Sequence, residues 1–513
     1  MKNQSPVPKE KYEKEYKRQL EQLKNSQLLK RFTKARELLE KNSHRPYYHF
    51  TSPECKMHDA NGLCFYKGNW HLFYQAFPPE YPKQHWGHAI SKDLTNWKDL
   101  PYAIYPGPEN ACFSGATLVE ENRVIAMYHG TSVGNMIAIS DDDLLLNWEK
   151  VTEGAVIDIN SGDKEYQVFD PCIWKKGDFY YSLSGGYLPY GDTLQYRMAE
   201  FLFKSKDLIN WEYIHPFVEK DIFTLPGDDG ACPYFWPIGN KYILLFFSHM
   251  SAGQALIGEY DKKRDKFIAQ SHIKANHGVL HDGGVHAPSA TPDGKGGVVV
   301  IHNVNAGRQK GVMRSVMTLP RRLSIENNQL KIEPTGNYQA LRYNHRHIGK
   351  TKLEKDKKRS FEGVFGNTIE MIMEIEVKDT NFIEIEVLQS EKETTKIRYY
   401  HKRGYNRFYR RKEVKRRDSV LEIDVSQSTL ATDILTRPTE SMQVELYDDE
   451  SLQLHIFIDK SILEVFVNNR ECASVRIYPE NLDSIGFSII SKSKEAILKS
   501  LDIWDMKKLD YKI

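Results

Sequence analysis

Ser91-Lys-Asp-Leu-Thr-Asn-Trp97 recurs almost unchanged as Ser205-Lys-Asp-Leu-Ile-Asn-Trp211, and more loosely from Ser140 through Leu144 to Asn147-Trp148. Upstream of each copy a turn feeds an aromatic, β-branched run: Lys67-Gly-Asn-Trp-His-Leu-Phe-Tyr74, Glu121-Asn-Arg-Val-Ile-Ala-Met-Tyr128 and Lys176-Gly-Asp-Phe-Tyr-Tyr181. Two further runs of this kind follow, Ile238-Gly-Asn-Lys-Tyr-Ile-Leu-Leu-Phe246 and Asp293-Gly-Lys-Gly-Gly-Val-Val-Val-Ile301. Units of strand, turn and strand at a spacing of roughly 50 to 65 residues, most closing on a polar Trp-bearing hairpin, predict a five-bladed β-propeller. One blade cannot bury both of its faces, so the blades must close into a ring around a central funnel. A β-sandwich with coincidental turns is the plainer alternative, but a sandwich has no reason to return one Trp hairpin at fixed phase.

Outside residues 45–320, assigned to the propeller, the pattern changes. Thr368-Ile-Glu-Met-Ile-Met-Glu-Ile-Glu-Val377, Phe382-Ile-Glu-Ile-Glu-Val387, Val420-Leu-Glu-Ile-Asp-Val425 and Leu452-Gln-Leu-His-Ile-Phe-Ile458 alternate apolar and polar residues. Period two marks strands with one buried face, and so a β-sandwich over residues 345–513. Residues 321–344, with Pro334 and Gly336, read as a linker. Residues 1–44 form a helical extension: Leu20, Leu23, Leu28, Leu29, Phe32, Ala35 and Leu38 recur near helical spacing over 9–41, as a strap on the outside of the ring. The fold class is thus all-β with a short helical lead.

Lys and Arg together number 71 against 69 Asp and Glu, so no global field recruits nucleic acid or an anionic membrane. The basic run Arg407, Arg410, Arg411, Lys412, Lys415, Arg416 and Arg417 reads as a solvated face that blunts a sheet edge. No stretch has the length and apolarity of a signal peptide or membrane span, which points to a cytoplasmic protein. Cys55, Cys64, Cys112, Cys172, Cys232 and Cys472 lack metal-type pairing and read as buried free thiols in a reducing compartment. His85 and His88 have no carboxylates at ligand spacing, so neither metal nor cofactor is expected.

In a propeller the innermost strand of each blade starts at the funnel. Counting back about seven to nine residues from each hairpin turn gives Asp59 in His58-Asp-Ala-Asn-Gly62, Ser114 in Cys112-Phe-Ser-Gly115 and Asp170 in Val168-Phe-Asp-Pro171. The same count gives Ala231 in Asp228-Asp-Gly-Ala-Cys-Pro233 and His286 in Gly283-Gly-Val-His-Ala-Pro288. Two carboxylates, Asp59 and Asp170, then converge from non-adjacent blades. Paired carboxylates flanking a sugar are the working parts of glycoside hydrolysis. The plainer reading is that both only hydrogen-bond the funnel turns, since Asp before Gly or Pro is common there.

At these residues the chain resembles glycoside hydrolase family 32, the invertases, inulinases and levanases, from about residue 48 onward. His58-Asp-Ala-Asn-Gly62 is similar to the family's Asn-Asp-Pro-Asn-Gly box, and Phe113-Ser-Gly115 to its Trp/Phe-Ser-Gly motif. Phe73-Tyr-Gln75 and His85-Trp-Gly-His88 also match, Phe169-Asp-Pro171 falls at Arg-Asp-Pro, and Ala231-Cys-Pro233 at Glu-Cys-Pro. Ile458-Asp-Lys-Ser-Ile-Leu-Glu-Val-Phe-Val467 with Arg476-Ile-Tyr-Pro479 resembles the signature of its C-terminal sandwich. The resemblance implies a carbohydrate partner, Asp59 as nucleophile of a retaining mechanism, and Asp170 as stabiliser of the transition state. It implies a sugar pocket lined by Gln75, Trp86, Phe113 and Ser114, with His58, Asn61, Phe169, Ala231, Cys232 and His286 beside them.

The departures ring one site. Ala231 stands where the family has its proton-donating Glu, Phe169 replaces Arg, and His58 and Ala60 replace Asn and Pro. Four changes around one pocket read as a divergent natural subgroup. The expected function is therefore hydrolysis of a β-fructofuranoside or related furanoside, with the proton supplied by a displaced carboxylate, Asp229 or Asp228. A sugar-binding protein of the same fold and a furanosyl transferase are the alternatives. Two close carboxylates repel, which argues against a pure binder.

Overall fold

A computed structural model describes the chain apart from residues 1–3, 55, 160–164, 190–194, 220, 279–283, 310–314, 379–381, 405–416, 436–438 and 448. Cys55, Tyr190 and Asp282, and the basic run from Arg407 to Arg416, lie outside the described residues; Arg417 opens the strand Arg417–Asp424.

The protein is all-β behind two short helices. The first sheet runs Met57–Tyr66, Asn69–Ala76, His85–Ser91 and Trp97–Ile104 in chain order, all antiparallel. Four more antiparallel-hairpin sheets follow, their innermost strands being Cys112–Val119, Pro171–Lys176, Ala231–Ile238 and Val285–Pro292. These innermost strands touch in cyclic order, and the last returns to the first. Such closure is what gives a propeller its ring. Side chains stitch it: Leu63 N donates to Ser289 Oγ (2.9 Å), and Tyr234 OH donates to Gly115 O (2.9 Å).

The recurrent Ser-Lys-Asp-Leu motif has a local physical cause. Asp93 Oδ1 accepts from Thr95 N (3.1 Å) and Asn96 N (2.8 Å); Asp207 Oδ1 accepts from Ile209 N (2.9 Å) and Asn210 N (2.8 Å). Asp142 does the same for Leu146 N and Asn147 N. The carboxylate thereby fixes the turn into the outer strand, and Leu94, Leu145 and Leu208 take up the left-handed backbone inside it (φ 64°, 55° and 69°).

Residues 321–344 are not a linker. Arg321–Glu326 and Gln329–Pro334 form the outer hairpin of the fifth sheet, and Arg342–Ile348 opens the next one. Arg321 and Arg322 put charge on both faces of this hairpin, although Arg321 is fully buried, and that hid its alternation. Beyond it, a seven-stranded and a six-stranded sheet share one apolar core, in which Met371, Ile456 and Ile503 of one meet Ile385, Ile397 and Ile489 of the other.

The single N-terminal helix expected over 9–41 is two, Tyr16–Leu23 and Gln27–Leu39. Ser26 breaks the run because its Oγ accepts from Leu29 N (3.3 Å), capping the second helix. That helix is a strap, as expected: Leu28 and Phe32 are buried against Trp97 and Tyr102, although Leu38 points to solvent. Its Arg36 is buried, paired with Asp99, and lies 3.4 Å over the ring of Tyr511, whose carbonyl accepts from Asp99 N (3.0 Å).

Candidate active site

The funnel mouth holds a cavity of about 610 Å³, within the range of roughly 300 to 1,000 Å³ usual for small-molecule sites. His58, Asp59, Gln75, Phe113, Phe169, Asp170, Asp229, Ala231, Cys232 and His286 all line it. Counting back from hairpin turns therefore placed Asp59, Asp170, Ala231 and His286 at the cavity, while at the second strand start it gave Ser114, next to the lining Phe113.

Asp59 sits where the first strand is bent. Register slips between Met57 and Ala60 and again between Asn61 and Cys64, and Gly62 takes a left-handed φ of 48°. A Cβ there would lie 2.7 Å from Thr117 Cγ2, so both conformation and space require glycine. The bend aims the Asp59 carboxylate into a fan of donors. Ser114 Oγ (2.6 Å) and Gln75 Nε2 (3.0 Å) donate to Oδ2, and the His286 ring reaches Oδ1 through Nδ1 (3.0 Å). Burial alone would raise the carboxyl, but His286, Ser114 and His58 outweigh it and bring it down to about 2. Asp59 is thus held as an anion.

Asp170, on the third sheet, experiences the opposite balance. Burial and the charge of Asp59 push its carboxyl up to about 7, only partly offset by Cys232, whose Sγ donates to Oδ2 (3.4 Å), and by His249. Cys232 reaches it from a strained start to the fourth sheet, with φ 52° and a register shift between Ala231 and Tyr234. Phe169, in place of a cation, turns an exposed ring toward His129 and Tyr187 (centroids 6.2 and 6.4 Å) and builds an aromatic rim.

Several expectations need correction. Asp228 does not face the cavity: its oxygens accept from Ser248 Oγ (2.7 Å), Ser251 Oγ and Leu225 N (2.7 Å), so it staples the loop from behind. Trp86 and Asn61 are fully buried rather than lining the sugar pocket; Trp86 packs on Phe73 and Tyr128 and props Phe113 by donating to its carbonyl (2.9 Å). Ser114 is likewise sealed, acting on Asp59. Asp229 does line the cavity, but both its oxygens are engaged by His249, from the backbone N (2.8 Å) and the ring Nδ1 (2.7 Å).

His249, Phe247, Gln84, His129 and Tyr187 also line the cavity and were not among the residues the sequence pointed to. A signal for His249 existed. Ala231 pairs with Phe247 across the Gly239-Asn240 turn, so residue 249 must stand level with 229. Behind the site, Glu200 on Tyr196–Ser205 is fully buried, and neither carboxyl oxygen has a hydrogen-bond partner among the described residues. Burial, Asp229 and Asp170 together push it far above the usual carboxylate range. Gly230 caps it: a Cβ at 230 would meet Glu200 Oε1 at 2.3 Å.

Comparison with known proteins accords with this geometry. Residues 49–334 match the glycosyl hydrolases family 32 N-terminal domain, and residues 337–505 match the glycosyl hydrolases family 32 C-terminal region. A sucrose-6-phosphate hydrolase of Zymomonas mobilis is 26% identical, covering 90% of this chain and 92% of its own. A levanase of Bacillus subtilis is 25% identical over 91% of this chain and 71% of its own. The fold is shared with fructan 1-exohydrolase IIa of Cichorium intybus, at a TM-score of 0.80 and 21% identity over 91% of this chain and 98% of that one. With both of its halves matched in order, the chain belongs to glycoside hydrolase family 32.

Proposed function

We propose that the chain is a retaining glycosidase that hydrolyses a β-fructofuranoside or related furanoside. The observation that carries this reading is Asp59, a carboxylate held ionised at the floor of a sugar-sized cavity with a second carboxyl, Asp170, beside it. In this reading Asp59 attacks the anomeric carbon and Asp170 accepts hydroxyl hydrogens of the furanose while positive charge develops on the ring. The two are coupled. After burial, the charge of Asp59 is what raises Asp170, so formation of the Asp59 ester weakens the hold of Asp170 on a proton and favours its anion as the intermediate forms. Relatives named as sucrose-6-phosphate hydrolase, levanase and β-fructofuranosidase support the substrate class.

We read the sheets of residues 45–334 as five blades that carry the site, and residues 345–513 as a sandwich that braces them. The buried free thiols Cys64, Cys112, Cys172, Cys232 and Cys472 support a reducing compartment. Asp59→Asn should fold normally and lose turnover by several orders of magnitude, even with an activated leaving group. NMR of the initial product should show the β-anomer, and rapid-quench mass spectrometry a fructosyl ester on Asp59. An inverted product, or substantial turnover by Asp59→Asn, would remove the nucleophile from this reading.

A further inference from the structure

Position 231 supplies only a methyl group, yet departure of a sugar alkoxide needs a proton, so some other group on this wall must provide it. The described wall offers few. Asp228 is stapled to Ser248, Ser251 and Leu225 behind the cavity. Glu200 is sealed beneath Gly230. His286 is bound to Asp59, and His129 is buried against Asn135 Oδ1 (3.2 Å), its burial lowering its basicity. Asp229 has both oxygens committed to one residue, His249.

His249 differs from all of these. It follows the strand Lys241–Ser248 at the cavity edge, and its side chain is 63% exposed. Asp229 grips its backbone and its ring nitrogen Nδ1 together, which sets the ring orientation and leaves Nε2 as the outward proton carrier. Its ring stands edge-on to Phe247 (5.2 Å) and to His286 (6.1 Å), and the His286 Nδ1 is 3.0 Å from Asp59. One intervening ring, that of His286, therefore stands between it and the nucleophile, and both groups line the one cavity in which a glycosidic bond would be bracketed between them. The groups facing it are Asp229 from its own sheet, Asp59 and His58 from the first, Asp170 from the third and His286 from the fifth. The hydrogen bond to Asp229, against a smaller loss from burial, raises its basicity, and Asp170 and Asp59 add to that.

We propose that His249, oriented by Asp229, is the acid–base catalyst of this site in place of the absent carboxylic acid at position 231. This rests on the glycosidase reading above. In the first step an Asp59 oxygen forms a bond to the anomeric carbon while the bond to the leaving oxygen breaks. That oxygen keeps the electron pair and takes the proton from His249 Nε2. In the second step water attacks the anomeric carbon, its proton passes to His249 Nε2, and the ester electron pair returns to Asp59. One water is consumed and both side chains are restored. Asp229 is a positioning residue.

The test compares a fructo-oligosaccharide with β-fructofuranosyl fluoride, whose leaving group needs no proton. His249→Ala should lower kcat/KM on the oligosaccharide by about 10²- to 10⁴-fold while keeping kcat/KM on the fluoride, which reports only the first step, within about tenfold of wild type, and added imidazole should restore part of the loss. Asp229→Asn should shift the alkaline limb of the kcat/KM profile to lower pH, and an NMR titration of the His249 ring should move with it. Equal loss of kcat/KM on both substrates, or none on either, would overturn the assignment to His249. An alkaline limb unmoved in Asp229→Asn would overturn the role of Asp229. If wild type cleaves neither substrate, the glycosidase reading itself fails, which the NMR titration distinguishes because it needs no turnover.

Discussion

Two clusters of buried charge lie within this molecule and are built on opposite rules. Where the propeller meets the sandwich, Glu464 Oε1 accepts from Arg321 Nη2 (2.7 Å) and Ser474 Oγ (2.6 Å), and Leu319 N donates to Oε2 (3.1 Å). Asp459 takes the backbone N–H groups of Tyr47 (2.6 Å), Tyr48 (2.8 Å) and His49 (2.8 Å), and His49 lies between it and Glu464. All these acidic groups are fully buried, yet Glu464 is brought down to about 2, because Arg321, His49 and Ser474 outweigh burial. In the funnel, Glu200 is also fully buried and Asp170 half-buried, and both are pushed upward, with a like charge in place of a cation. Paired charge fixes the geometry of a joint; opposed carboxyls keep a site poised to exchange protons.

The comparison breaks if removing a partner from the joint is harmless. Glu464→Ala leaves Arg321 buried and uncompensated, and should destabilise the protein by about 3 to 5 kcal/mol in denaturant unfolding. Replacing both, Arg321→Met with Glu464→Leu, should recover most of that loss, since an apolar pair asks for no solvation. A double variant as unstable as the single one would mean that the joint is held by shape, not charge.

Glu200 sharpens the contrast, with a smaller effect. Its folded carboxyl binds a proton more tightly than an unfolded one, so its contribution is favourable below the ordinary carboxylate range and is lost as pH rises through and above that range. Glu200→Gln should remove this slope, gaining about 1 to 3 kcal/mol over wild type at pH 8, the cost of one unsatisfied buried group, and gaining nothing at pH 4. Thermal unfolding across that interval decides it. The smallest change expected concerns Asp170. If its anion is the working form, kcat/KM should fall about tenfold per pH unit below about 7, and Asp170→Asn, already slow, should lose that limb.

Much of the site was legible because a repeat gives every blade the same phase: Asp59, Asp170, Ala231 and His286 all came from one count. What that count could not see lies on second strands or behind the first. His249 follows the return strand and becomes visible only when Ala231 is paired with Phe247. Asp228 and Asp229 are adjacent in sequence, and only the loop path decides which faces inward. Glu464 reads as the exposed member of an alternating strand, but Ile462–Val467 is buried on both faces because the propeller covers the side that solvent would otherwise occupy. Periodicity reports one sheet at a time, whereas these residues are placed by contact between sheets.

The stacking of Arg36 on Tyr511 has a consequence in time rather than in space. The guanidinium is made some 470 residues before the ring it lies against. At roughly 5 to 20 residues per second, that is a wait of about 25 to 95 s during synthesis. Throughout that interval the strap helix can hold Asp99 but not its final cover, so Asp99 stays open on one side until Tyr511 has emerged. The contact between Arg36 and Tyr511 is therefore made only after the strands of both later sheets have been synthesised, and the cover of Asp99 waits on it.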